Sequence, residues 1–371
     1  MPNEIKGIRS IEGLPPNWFI PTTRYRGSKR KILPWIWENI RDLPFDNALD
    51  LFGGTGTVSI LLKRMGKKVT CNDYLQYNYL SAIAFVENSD TKLTDEDLNF
   101  IRSGHDNGAS SSFIADTFRG YYFLDSENEW LDRTVASISA LNRFYSGKIL
   151  CQKQALALWS LGQACLIKRP FNLFHRKNLN LRTKNVVRNF GNKSTWEIPF
   201  PDAMYRFAEE ANRAVFDNGR QNKALCLDAF QVEQIDYDLV YCDPPYFLES
   251  KSDVDYRELY HFLDGIAQYE RWSEQIDHSS YNLRLKRDAM LWPARSIDKL
   301  TKLYSLLIDR FGDSIIVISH KSGSLVSVDT IRQLLTKRGK KVRLCETPYT
   351  YALNKSNGKP QHSTEYLLIG T

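Results

Sequence analysis

The segment Tyr241-Cys242-Asp243-Pro244-Pro245-Tyr246-Phe247 follows directly on Tyr237-Asp238-Leu239-Val240, and it restricts the fold more than any other stretch of the chain. The preceding apolar run reads as a buried strand. Two prolines then remove two backbone donors and stiffen the chain, so the strand must stop there. The acid is thereby fixed at the carboxyl end of a strand, where open α/β sheets bind their ligands. A carboxylate, a stiff turn and an aromatic ring in this order form a rigid seat for a nucleobase.

A sheet needs neighbouring strands, and the pattern supplies them on both sides. Upstream, Asn47 to Gly56 reads as a strand and a glycine-rich turn, with a helix carried by Val58, Ile60, Leu61 and Leu62. Glycines there permit a tight turn and let a ligand lie against the backbone. A second strand, Lys68 to Cys71, ends in Asn72-Asp73. An acid at that place is the expected ribose-hydroxyl ligand of a Rossmann-type site. The full G-x-G-x-x-G fingerprint is absent, and a Phe-x-Gly-x-Gly run, Phe52 to Gly56, stands in its place. Earlier still, Arg24-Tyr25-Arg26-Gly27-Ser28-Lys29-Arg30-Lys31 leads into Ile32, Leu33, Ile36, Trp37 and Ile40 at helical spacing. A Gly-Ser turn at a helix start offers backbone donors and a lysine to an anion or carboxylate. Downstream, strands are expected at Lys223 to Phe230, Tyr237 to Tyr241, Ser314 to His320, Lys341 to Cys345 and Glu365 to Ile369. A helix is expected over 327–338, and a polar loop over Asn354 to Lys359. The rhythm is that of a doubly wound α/β sheet with one large insertion.

The insertion is where the β-α rhythm disappears, from Phe113 to Trp196, with helical runs at 127–145 and 151–169. From Arg133 to Trp196 there are twelve Lys or Arg and no Asp or Glu, in a chain whose net charge is only +7. A solvated helical face mixes signs, so an acid-free run of this length asks for a polyanionic partner. Its basic residues Arg176, Lys177, Arg182, Lys184, Arg188 and Lys193 are interleaved with Asn, Thr and aromatics, the mix used for phosphate and base contacts. They are the expected nucleic-acid contacts. His175 reads as a packed or phosphate-facing side chain. The reading divides the chain into a cofactor half (1–104), a basic recognition insert (105–200) and a second catalytic half (201–371).

Six scattered cysteines with no C-x-x-C pair point away from zinc and from a disulfide framework, and fit a reducing cytoplasm. The most apolar run, Ile149 to Ile167, is broken by Lys153 and three glutamines, so no membrane span is expected.

The glycine turn, the acid after the second strand, the basic insert and Asp243-Pro244-Pro245-Tyr246 occur in an order that resembles the Dam-like DNA adenine-N6 methyltransferases. In that family a basic Gly-Lys segment and an F-x-G-x-G cofactor half precede the D-P-P-Y, with the recognition insert between. The resemblance spans Arg24 to Ile369. It implies the class I S-adenosyl-L-methionine (AdoMet) methyltransferase fold, a Rossmann-like, mostly parallel seven-stranded sheet with an inserted, mainly helical target-recognition lobe. Tyr25 and Lys29 resemble contacts near the methionine end of AdoMet. Phe52, Gly53 and Gly56 resemble the loop beneath it, Asp73 the ribose ligand, and Asp228 with Ala229 or Phe230 the edge of its adenine ring. Asp243, also beside the cofactor, and the carbonyl of Pro244 resemble the acceptors for the target amine, and Tyr246 its stacking face. Ser356-Asn357-Gly358 and Glu365 resemble the family's carboxyl end. One departure is Ile318-Ser319-His320, which lacks the asparagine of the usual Ser-Asn-His; another is the longer insert. Double-stranded DNA is the implied partner, joined by a cognate restriction endonuclease where such enzymes belong to restriction–modification systems rather than to phages or orphan regulators. An RNA adenine-N6 methyltransferase is the alternative reading, because a basic insert does not separate duplex DNA from structured RNA. Cytosine-N4 enzymes, which favour Ser at the position of Asp243, fit less well. The chemistry calls for neither a metal nor a cysteine nucleophile, and Cys242 should face away from the acid beside it.

Overall fold

The computed structural model describes residues 12–15, 17–104, 112–184, 193–245, 247–248, 255–286, 296–356 and 359–371, and leaves the side chains of 193 and 350–362 undescribed. Its strands are β1 (Asn47–Asp50), β2 (Lys68–Asn72), β3 (Lys223–Leu225), β4 (Leu239–Cys242), β5 (Ile315–Lys321), β6 (Val342–Ser356) and β7 (Lys359–Gly370). They form one sheet in the order β3-β2-β1-β4-β5-β7-β6, in which β7 alone runs against its neighbours. This is the class I methyltransferase sheet. The strand order reverses between β1 and β4, where Asp50 pairs with Tyr241, and that reversal opens the ligand crevice of such sheets.

Alternation along β4 sends Leu239 and Tyr241 into the core on one face of the sheet, and Val240 and Cys242 into the core on the other. Cys242 is thus buried against the packing of the far face, away from Tyr241. The helices used below are α1 (Leu33–Ile40), α2 (Thr57–Arg64), α3 (Gln76–Ala82), α4 (Asp125–Ser139), α5 (Gly147–Ile167), α6 (Phe200–Ala214), α7 (Tyr256–Ala267), α8 (Ile297–Arg310) and α9 (Val328–Lys337). A short π-helical segment, Ile83–Glu87, continues α3.

Within the insertion, α5 is buried along most of its length and packs against α3, α6 and α7. Its Ala155, Trp159 and Leu166 belong to the same core as Ile36, Phe85 and Phe207. A Cβ on Gly162 would lie 2.4 Å from the Tyr77 ring, so glycine is what lets α5 approach α3 this closely. No helix among the described residues is long and apolar enough to cross a membrane.

Two expectations change. The polar tract 354–359, expected as a loop, instead extends both strands of a long hairpin, with a register irregularity between Tyr351 and Lys355 and residues 357–358 outside the described set. Antiparallel pairing satisfies backbone groups whatever the side chains are, so polarity there did not mean a loop. The third strand stops at Leu225, short of Asp228. The Asn72 side chain takes over its hydrogen bonding, donating to the carbonyls of Leu51 and Leu227 (both 3.1 Å) and accepting from Leu227 N–H at 3.1 Å.

Candidate active site

Asp243 leaves the end of β4 next to the end of β1, where Leu51 N–H donates to the Tyr241 carbonyl at 3.0 Å. Lys29 Nζ lies 3.1 Å from Asp243 Oδ1 and 3.3 Å from Glu365 Oε2. Lys29 begins a short 3-10 turn (Lys29–Ile32) entered through Ser28, whose hydroxyl accepts from Arg30 N–H. Glu365 is delivered by β7, opposite Lys321 of β5. Both Lys29 and Glu365 are buried. Burial pushes the Asp243 carboxyl up to about 6, with Lys29 opposing the rise and Glu365 adding to it. A second buried acid, Asp50, accepts from Ser59 Oγ at 2.6 Å and is pushed up to about 7, mainly by burial. Pro244 is buried, and the chain beyond is pinned where Leu325 N–H donates to the Phe247 carbonyl at 2.8 Å. Tyr246 lies outside the described residues.

The glycine turn sits beside this seat. Gly53 N–H donates to the Asn72 carbonyl at 2.8 Å, and a Cβ on Gly53 would fall 2.4 Å from Cys71 Sγ. Gly56, at φ 73°, caps α2 in a left-handed conformation that favours glycine. Gly54 N–H donates to Asp73 Oδ2 at 2.8 Å, while Asp73 Oδ1 accepts from Leu75 N–H (2.8 Å) and from Asn78 Nδ2 (3.1 Å). Asn78 also donates to the Tyr25 hydroxyl at 3.2 Å. The Tyr25 ring stacks on Tyr260 at 4.0 Å and on Tyr256 at 5.7 Å, and Arg26 N–H donates to the Tyr260 hydroxyl at 2.7 Å. Asp228 makes a local turn, accepting from Phe230 N–H at 2.8 Å, and Phe52 and Phe230 are half-buried against the far-face core.

The fold therefore brings Tyr25, Lys29, Gly53, Gly56, Asp73 and Asp243 to the ends of β1, β2 and β4 as two bonded groups. One is Lys29 with Asp243 and Glu365; the other is Tyr25 with Asp73 through Asn78, beside the turn that holds Gly53 and Gly56. Asn78, Tyr256, Tyr260 and Asp50 join them without having been singled out in the sequence. Tyr256 and Tyr260 did leave a signal, an aromatic pair four residues apart at the start of a helix, on one face. Asn78 left none, since a polar residue in a helix has no distinguishing pattern. In the departure noted above, His320 is a buried structural group: it reaches the Val326 carbonyl at 2.8 Å, and burial lowers it to about 4.

The basic residues are divided. Arg182 makes a two-pronged pair with Glu127, both bonds 2.8 Å, and its side chain is only 6% exposed. Lys168 reaches the same carboxylate at 3.0 Å. Arg182, expected on the nucleic-acid face, is instead an internal strut, because the acid that neutralises it lies just before the acid-free run. Arg176 and Lys184 are exposed, and Lys177 sits 3.7 Å over the Tyr121 ring. Arg188 and the Lys193 side chain lie outside the described residues.

The D12 class N6 adenine-specific DNA methyltransferase family matches residues 25–280. The chain belongs to this family. It is also 29% identical over 361 residues to the type II methyltransferase M2.HphI of Haemophilus parahaemolyticus, with 94% of this chain and 97% of that protein covered. As a D12-class enzyme the protein methylates adenine N6 in DNA, and its family membership implies AdoMet as the methyl donor.

Proposed function

We propose that this D12-class enzyme transfers the methyl group of AdoMet directly to an adenine extruded from double-stranded DNA, with Asp243 and the Pro244 carbonyl as the amine's acceptors. The observation that carries the reading is the half-buried Asp243 carboxylate, fixed by Lys29 at the end of β4 and next to the glycine turn. An adenine amine is a weak nucleophile, because its lone pair is delocalised into the ring. Two acceptors that hold both N–H bonds turn the lone pair out of conjugation, and rigid placement then does most of the work. Asp243 is also positioned to take the proton that the amine must lose. Tyr246, directly after the prolines, is the proposed stacking face for the extruded base.

The residues present fit AdoMet. Gly54 has no heavy atom within 4 Å of where a Cβ would stand, leaving room above the turn. Asp73 accepts from the Gly54 and Leu75 N–H groups and from Asn78, which fixes its carboxylate at the end of β2 beside the turn. In this reading Phe52, Gly53, Gly56 and Asp73 hold the nucleoside, Asp228 and Phe230 the adenine edge, and Tyr25 with Lys29 the methionine end. AdoMet supplies an electrophilic methyl group on sulfonium. Arg176, Lys177, Lys184, Arg188 and Lys193 are proposed to meet phosphates, and a restriction–modification setting would add a cognate endonuclease.

The test is incubation with methyl-labelled AdoMet and a mixture of unmethylated duplex DNA and structured RNA, followed by nuclease separation and nucleoside analysis. Label in N6-methyladenine of the duplex is expected. Label confined to RNA, or to no adenine at all, would sink the reading.

A further inference from the structure

Among the described residues, four that are not glycine adopt a left-handed backbone: Phe171 (φ 62°), Asn172 (φ 56°), Asn178 (φ 51°) and Leu283 (φ 52°). Such conformations are unfavourable for side chains like Phe and Leu, and persist only where surrounding bonds over-determine them. All four fall in two loops, 170–178 of the insertion and 277–286 beyond α7.

Buried polar groups fuse the two loops. The Tyr122 hydroxyl lies 2.7 Å from the Asn282 carbonyl, 3.0 Å from that of Phe174 and 2.9 Å from His261 Nε2. The buried Arg169 guanidinium donates to the carbonyls of Leu173 (3.1 Å), Tyr122 (3.2 Å) and Arg176 (2.6 Å). The Tyr281 hydroxyl donates to the His175 carbonyl, closing the seam from outside. The fused edge sits on the first turns of α7: Phe174 N–H donates to the Leu259 carbonyl at 2.9 Å, and Arg284 pairs with Glu258 at 3.2 Å. Those same turns carry Tyr256 and Tyr260 into the active-site cluster. On its outer side the edge presents Phe171 and Tyr281, 54% and 59% exposed, together with exposed Arg176.

We infer that loop 277–286 is part of the DNA-reading surface, forming with loop 170–178 one rigid edge whose Phe171 and Tyr281 rings pack against the duplex flanking the extruded adenine. The inference rests on the function proposed above and extends it outside the basic insertion. The family match ends at residue 280, so nothing in it assigns Tyr281 or the residues after it. Aromatic faces beside a cation suit nucleic acid, where rings meet bases or sugars and Arg176 meets the adjoining phosphate. Two acids near this edge, Glu258 and Asp277, share Arg284 at 3.2 and 3.5 Å, which offsets one of their two charges, and exposed Arg176 adds a further cation. Strain suits the role as well, because a pre-formed edge loses little entropy when it binds.

The test uses the full chain and the duplex that the wild type methylates. Affinity is read by fluorescence anisotropy, and discrimination as the ratio of kcat/KM between that duplex and one with a single changed base pair. Tyr281→Ala and Phe171→Ala are each expected to weaken duplex binding about tenfold or more, leaving KM for AdoMet at its wild-type value and Tm within a few degrees of it, since Tyr281 gives up one exposed hydrogen bond while the Tyr122 and Arg169 bonds keep the seam. Tyr281→Phe keeps the ring and should stay close to wild type. Phe144→Ala removes an aromatic that is 60% exposed and packs on Phe100, and should leave duplex binding and discrimination unchanged. Wild-type binding and discrimination in Tyr281→Ala would overturn the inference, as would an equal loss in Tyr281→Phe or Phe144→Ala. A wild type that methylates no duplex would instead defeat the proposed function.

Discussion

The seat around Asp243 and the basic insertion are both rich in charge, yet they handle it in opposite ways. At the seat Lys29 lies between two carboxylates, with a third acid, Asp50, close by. Charge there is concentrated and held in place by strand ends. In the insertion, which looks uniformly cationic in sequence, several cations are internal. Lys153 pairs with Asp97, Lys168 and Arg182 share Glu127, and Arg169 braces three carbonyls. Charge along a chain is therefore not charge on a surface: three of this run's cations are held by two acids that precede it, Asp97 and Glu127.

Asp243→Ala should break the contrast most severely. Transfer is expected to fall by at least about a thousandfold, since an acceptor that positions the nucleophile is lost. AdoMet binding, followed by calorimetry, should persist. On the insertion side, Glu127→Gln leaves two buried cations without their carboxylate and should cost about 3 kcal/mol in urea unfolding. Arg182→Ala should likewise lower stability while leaving the salt dependence of DNA binding unchanged.

The next effect is a displacement along the pH axis. Asp243 titrates near 6, so the acid limb of kcat/KM should fall as pH drops through that value, where the carboxylate becomes protonated. Lys29→Met removes the opposite charge and should move the limb upward by about one pH unit, whereas Glu365→Gln removes a like charge and should move it downward. Identical limbs in both variants would mean that Lys29 and Glu365 hold shape only. The smallest effect is expected for Arg176→Ala, which should weaken binding uniformly across sequences and reduce the slope of log K against log salt by about one, with Tm unchanged.

Much of the seat was legible because its logic is local. Two prolines after an apolar run fix where a strand ends, and a glycine turn followed by an acid after the next strand marks a crevice. The partners of those residues were less legible. Tyr256 and Tyr260 showed a helical spacing but no assigned role, and Asn78 and Asp50 carried no pattern at all. Arg182 was misplaced on the DNA face because its neutralising acid lies 55 positions away in the chain. The polar tract 354–359 was misread because a hairpin can pair polar residues as readily as apolar ones.

By itself, then, the sequence determined the strand that ends in Asp243-Pro244-Pro245, the glycine turn, and the acid Asp73 that follows, because backbone sterics and side-chain period act over a few residues. Only the tertiary structure decided that Lys29 would sit between Asp243 and Glu365, that Arg182 would turn inward, and that two strained loops far apart in the chain would fuse into one edge beside α7. Those outcomes depend on which groups burial brings within a few ångströms of one another, a matter that the packing of the whole core decides.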